Sequence, residues 1–240
     1  MSSALARSRK AKVAQELVCE RVYRPLAHLV VVVLLPLRVP PPFVAATAGA
    51  TGIVAAVQLA QGKLLLAAIL IQAKTILDNA DGQLARTTGR ITALGRYLDS
   101  LCDLTTNAVV VAAMGWETGR PWLALASYLA LTAVLSVNFN LERLSRGAAS
   151  GPVDGGVYRR IYNVLYAPQD RLAERLFAGP RSRGTLTAVA QLGLSTQWAI
   201  LGLLLVLGRP ELFLWIPLAC LAALVPLVRR PTPAPVPEAS

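Results

Sequence analysis

The chain has 240 residues, 55% of them hydrophobic and only 15% charged, with a mean hydropathy of +0.52; soluble domains carry about 25% charged residues, so the composition points to a multi-span membrane protein. Its apolar content excludes disordered and collagen-like chains, and the wide spread of its three cysteines, Cys19, Cys102 and Cys220, excludes a disulfide scaffold. The formal charge of +11 calls for a membrane explanation before a nucleic-acid one, because nucleic-acid binding wants basic residues gathered on one folded face with aromatics between them.

The basic segment Arg7 to Arg24 leads into an apolar run, His28 to Leu37, that is too short to span and is broken by Pro36. An interfacial amphipathic helix is expected there. A signal peptide would share the charged start and the apolar run, but Arg38 and a run of prolines follow where a small-residue cleavage site belongs. Six stretches then approach the roughly 20 apolar residues needed to cross a hydrocarbon core: Pro42 to Ala60, Leu64 to Gly82, Tyr97 to Trp116, Pro121 to Phe139, Gly184 to Gly208 and Glu211 to Val228. The fold class expected is an all-α integral membrane protein of six transmembrane helices. Its parts are a cytoplasmic N-terminus with an interfacial helix over 1–38, a membrane domain over 39–229, and a proline-rich, disordered tail over 230–240.

With the N-terminus inside, Lys63, Arg120 and Arg209 fall in the three outside loops and Lys74 within the second span, while the other 20 of the 24 Lys and Arg are cytoplasmic. Such a bias follows the positive-inside rule and places both termini inside. The basic balance therefore reads as topology plus attraction to anionic lipid, with no nucleic-acid partner. Within the largest inside loop, Glu142 to Arg183, tyrosines and arginines interleave with aliphatics over Tyr158 to Tyr166 and Asp170 to Phe177, the pattern of helices lying on the membrane surface.

Four of the 13 acidic residues lie where a membrane disfavours them, at the junction of the second and third spans: Asp78, Asp81, Asp99 and Asp103. A carboxylate at a helix centre costs about 2.5 to 3.5 kcal/mol, so the four need a cytoplasmic position and compensating cations. The first two are three residues apart and the last two four apart, so each pair projects from one helix face. A short loop between the helices brings the pairs together, and oxygen ligands of this kind are what hard divalent ions require. A two-cation site is the simplest reading. The alternative is that each aspartate pairs with a nearby arginine or with Lys74. Between the pairs, Gly82 lets a ligand approach the backbone and Arg86 offers a fork for phosphate oxygens.

From Asp78 to Asp103 the chain reads DNADGQLARTTGRITALGRYLDSLCD, which fits D-x2-D-G-x2-A-R-x8-G-x3-D-x3-D at all eight fixed positions. This pattern resembles the signature of the CDP-alcohol phosphatidyltransferases, in particular bacterial phosphatidylglycerophosphate and phosphatidylinositol-phosphate synthases. The resemblance implies transfer of a phosphatidyl group from a CDP-alcohol such as CDP-diacylglycerol to an acceptor hydroxyl, with release of CMP, in phospholipid biosynthesis. It implies two magnesium or manganese ions on Asp78, Asp81, Asp99 and Asp103, with Asp103 also the general base. Gly82, Arg86 and Thr92 are implied as contacts of the CDP-alcohol. The setting implied is the inner membrane, multi-pass, with the active site facing the cytoplasm among membrane lipids, and a homodimer is the assembly it admits.

The chain departs from that pattern in two places. The family carries a proline and a polar segment ending in threonine before the first span, where this chain has Pro40 to Thr47 with Phe43 in place of a polar residue. Inositol-phosphate users carry a lysine near an arginine after the fourth span; Arg143 matches but the lysine is missing. Arg90, Arg96, Arg143 and Arg146 favour a phosphorylated polyol such as glycerol 3-phosphate as acceptor over serine or ethanolamine. A divalent-cation channel or transporter would want acids deep in several spans, and the first, fourth, fifth and sixth have none in their interiors. An inactive structural homologue would have lost a motif aspartate or glycine. His28 is expected as an interfacial side chain and the cysteines as packing residues.

Overall fold

A computed structural model describes residues 14–145 and 182–229, together with Arg160 and Arg171. The surface helices expected in the large inside loop, the basic segment before residue 14 and the proline-rich tail lie outside the described residues. Those described are helical, and no strand occurs among them.

A π-helical turn, Cys19–Tyr23, runs directly into Arg24–Leu34, and the two form α1. It starts earlier than the apolar run and ends before Pro36, where Arg38 takes a left-handed φ of 54°. One face, Ala27 and Val31, is buried against Ala80 and Leu84. The other is apolar and open, with Leu29 and Val33 each 63% exposed.

The helices that follow are α2 (Pro41–Ala60), α3 (Leu64–Thr88), α4 (Ala93–Glu117) and α5 (Pro121–Ser145). A Cβ built on Gly95 would lie 3.8 Å from Pro42 Cγ, and one on Gly62 would lie 4.0 Å from Glu117 Oε1. The starts of α2 and α4 are thus neighbours, and so are the far end of α2 and the far end of α4. These two helices run parallel, with α3 antiparallel to both. Gly49 and Gly52 let α2 lie directly on Cys102 and Thr106 of α4, an approach that any larger residue would block.

The second half contains α6 (Arg183–Ala190), α7 (Leu194–Val206), α8 (Pro210–Phe213) and α9 (Ile216–Arg229). The sequence reads one apolar stretch from Gly184 to Gly208, but the helix is interrupted at residues 191–193. Glu16 explains the break: its carboxylate accepts from the Thr196 backbone N–H and, at 2.8 Å, from the Thr196 hydroxyl. A carboxylate there satisfies open amides at the start of α7 and complements the helix dipole. Gln191 holds the same strap, accepting from the Leu17 N–H and donating to the Gln15 carbonyl. The sixth stretch is also interrupted, between Phe213 and Ile216, because Pro217 has no N–H to donate to the Phe213 carbonyl.

Among the described residues, four segments are long and apolar enough to cross a membrane: Pro41–Ala60, Pro121–Ser145, Arg183–Val206 and Pro210–Val228. The expected second and third spans are 25-residue helices, α3 and α4, that fall outside this set by composition. The residues responsible are polar ones: Lys74, Asp78 and Asp81 on α3, and Asp99, Asp103, Thr106 and Asn107 on α4. The main apolar core joins α2, α3, α4, α5 and α7 through residues such as Leu59, Ile71, Met114 and Trp198. Trp198 stacks on Phe213 with ring centroids 5.9 Å apart.

Polar hydrogen bonds dock α1 beside the site helix. Tyr23 donates to Gln72, whose amide donates in turn to the Trp198 carbonyl at 3.0 Å. Cys19 donates to Asn79 at 3.3 Å, and Gln83 donates to the Arg24 carbonyl at 3.0 Å. Burial, with Glu16 and Cys19 nearby, pushes the Tyr23 phenol up to about 12, so it stays a neutral donor through the physiological range. Cys19 is thus a hydrogen-bonding residue as well as a packing one.

Candidate active site

The site forms where α3 ends and α4 begins. Gly89 stops α3 by adopting a φ of 69°, its N–H returning to the Arg86 carbonyl, while the Arg90 N–H returns to Ala85 at 3.0 Å. Three residues later Thr92 starts α4, its hydroxyl accepting from the Gly95 N–H at 3.0 Å. This tight turn reverses the chain so that α3 and α4 both pack along α2, and their aspartates come to face one another.

One carboxylate oxygen from each of Asp78, Asp99 and Asp103 lies within 4.8 Å of the others. Opposed oxygens around a magnesium ion are about 4.2 Å apart, so this spacing is close to that of one ligand shell. Asp81 stands outside that triplet. It is buried, and its Oδ2 has no hydrogen-bond partner among the described residues. A buried carboxylate oxygen with no donor is costly unless a cation faces it. Three converging carboxylates and a fourth with one unpartnered oxygen therefore fit divalent cations.

Lys74 lies inside the cluster, 1% exposed. Its ammonium donates to Asp78 Oδ1 at 3.0 Å, one turn along α3, and to Asp103 Oδ1 on α4. Pairing with Lys74 therefore holds for two of the four aspartates. The pairing leaves Asp103 the more open of the two, its side chain 31% exposed against 21% for Asp78.

Gly82 and Arg86 lie together on α3. A Cβ on Gly82 would come to 3.1 Å from the Arg86 Nη1, so the absent side chain is the space in which the guanidinium rests. Thr92 is exposed and engaged as the α4 cap, which leaves its hydroxyl proton for another acceptor. Thr47 donates to the Phe43 carbonyl within α2, and both side chains are exposed. Arg143 is buried near the end of α5, while Arg146 lies outside the described residues.

From sequence, Lys74 stands out only as a possible ion-pair partner, and Gln72 and Gln83 do not stand out at all. A lysine four residues before an aspartate signals an ordinary helical ion pair. Its second partner, 29 residues away, is fixed only by the docking of α4.

Fold and site together define a helical membrane protein whose carboxylate centre lies between two helices that both pack on a third. Residues 26–223 match the family model described as CDP-alcohol phosphatidyltransferase, and the chain belongs to that family. It is 31% identical over 125 residues to a phosphatidylinositol phosphate synthase of Corynebacterium glutamicum, covering 50% of this chain and 56% of that protein. It is 38% identical over 84 residues to a bifunctional IPC transferase and DIPP synthase of Thermococcus kodakarensis, covering 35% of this chain and 19% of that protein. A protein of the same description from Rubrobacter xylanophilus is 32% identical over 85 residues, 35% of this chain and 20% of its own. The chain thus spans about half the length of the first of these relatives and about a fifth of the other two. No solved structure matches.

Proposed function

We propose that this protein transfers a phosphatidyl, or related phospho-alcohol, group from a CDP-alcohol such as CDP-diacylglycerol to an acceptor hydroxyl, releasing CMP, in phospholipid biosynthesis. The single observation that carries the reading is the convergence of Asp78, Asp99 and Asp103 to within 4.8 Å inside a complete family motif. Asp78, Asp81, Asp99 and Asp103 would hold two divalent ions, magnesium or manganese. Bound there, the ions neutralise the diphosphate and the charge developing on departing CMP.

The remaining work falls to the chain's own side chains. Asp103 takes the proton of the acceptor hydroxyl as its oxygen bonds to the phosphorus and the bond to CMP breaks. Lys74 occupies Oδ1 of that carboxylate, which leaves Oδ2 as the proton acceptor. Arg86 binds phosphate oxygens through its planar fork, and Gly82 keeps that position open for it. Thr92 offers its free hydroxyl proton to the CDP-alcohol.

The setting proposed is the inner membrane, with six crossings over 39–229 and the site facing the cytoplasm. There water-soluble CDP and a membrane-bound lipid meet. Helix α1 lies along the interface, its apolar face of Leu29 and Val33 toward lipid. The acceptor proposed is a phosphorylated polyol, with glycerol 3-phosphate expected from the arginines around the site. A second acceptor, inositol phosphate, is favoured by the resemblance to the Corynebacterium synthase. Membranes carrying the protein, given CDP-diacylglycerol and a panel of acceptors, should release CMP and form lipid product with a phosphorylated polyol. CMP release only with serine or ethanolamine would remove the acceptor reading, and none with any acceptor would remove the transferase.

A further inference from the structure

The centre contains one cation that the family motif does not include. Lys74 is 1% exposed and bonded to Asp78 and Asp103, which belong to different helices. A buried ammonium is costly, and an apolar residue of similar volume often serves a fold as well or better. With two carboxylates engaged and almost no surface open, it presents no face to a substrate phosphate.

We propose that Lys74 is a built-in third cation of the centre, a positioning residue that ties Asp78 of α3 to Asp103 of α4 and sets how tightly the carboxylates take divalent ions. This rests on the metal-dependent reading of the site given above. Four carboxylates and two divalent ions balance without any lysine. Its extra charge therefore works against ion binding in the filled centre. In the ion-free centre it has the opposite effect, since it relieves repulsion between two carboxylates that otherwise face each other with no counter-charge. The result is a centre that keeps its shape without ions and takes them with reduced affinity.

The test uses the full chain purified in detergent, with manganese binding titrated by electron paramagnetic resonance and thermal unfolding followed in chelator. In Lys74→Met and Lys74→Gln, manganese should bind about 10-fold tighter or more, as expected for removing a unit charge beside a divalent ion. Both should unfold at lower temperature than the parent in chelator, with the gap closing when manganese is added. Lys74→Arg, which keeps the charge, should bind manganese close to the parent. Lys74→Gln retains a donor and carries the measurement if Lys74→Met does not fold. Unchanged or weaker manganese binding in the neutral variants overturns the inference, as does equal tightening in Lys74→Arg. No CDP-alcohol enters the titration. Protein that shows the shift but transfers nothing would keep this inference and lose the transferase, and the converse would lose this inference alone.

Discussion

Asp103 and Asp81 separate two roles that one carboxylate cluster can combine. Asp103→Asn keeps the size and one ligand oxygen but cannot accept a proton. CDP-alcohol should still bind in saturating magnesium, while turnover falls by ~100-fold or more, the scale for loss of a general base. Asp81→Asn changes a buried carboxylate whose Oδ2 has no donor among the described residues, so it should weaken metal and nucleotide binding first. Affinity and turnover measured for both variants decide the matter. Near-parental turnover in Asp103→Asn would place the base elsewhere, and equal loss of metal in both would leave one undivided cluster. The four aspartates were legible because charge in an apolar stretch is rare and their spacing is that of helix faces. The partition into a close triplet and an enclosed Asp81 was not legible, because it depends on how far α4 is rotated against α3. That rotation is set by packing at Gly49 and Gly52, which sequence spacing does not encode.

At the scale of elements, the site depends on α2 lying flat along α4. A Cβ on Gly52 would fall far inside van der Waals contact with the Thr106 side chain, which is buried and has little room to move. Gly52→Val should therefore push the two helices apart and destabilise the fold by about 1–3 kcal/mol, the usual cost of overpacking. It should also lower manganese affinity, because Asp99 and Asp103 shift with α4. Thermal unfolding and metal titration read these effects, and a variant with parental values in both would show that the α2–α4 contact does not position the carboxylates. Hydropathy located the six apolar stretches but set several boundaries short. Helix α3 continues to Thr88 and α5 to Ser145, since a helix entering the interface keeps its backbone bonds while its side chains turn polar. The interruption at 191–193 was hidden for a different reason: the residue that caps α7, Glu16, lies 180 positions earlier.

For the whole molecule, the asymmetry of basic residues predicts that reporter fusions after Arg120 or Arg209 appear outside and fusions near Gly151 or after Arg230 appear inside. An outside signal at Gly151 would contradict the layout and separate the aspartates from a cytoplasmic nucleotide. Composition points to a membrane protein, yet α3 and α4, expected as the second and third spans, are not apolar enough to be marked as spanning, because they carry the polar residues of the site. CMP release from CDP-diacylglycerol and a phosphorylated polyol by the purified chain, followed as magnesium is titrated, tests the metal centre and the transfer together. No release is expected in excess chelator, with recovery as magnesium or manganese is added and no recovery in Asp78→Ala. Full release in chelator, or parental release by Asp78→Ala, would contradict a metal centre built on these carboxylates.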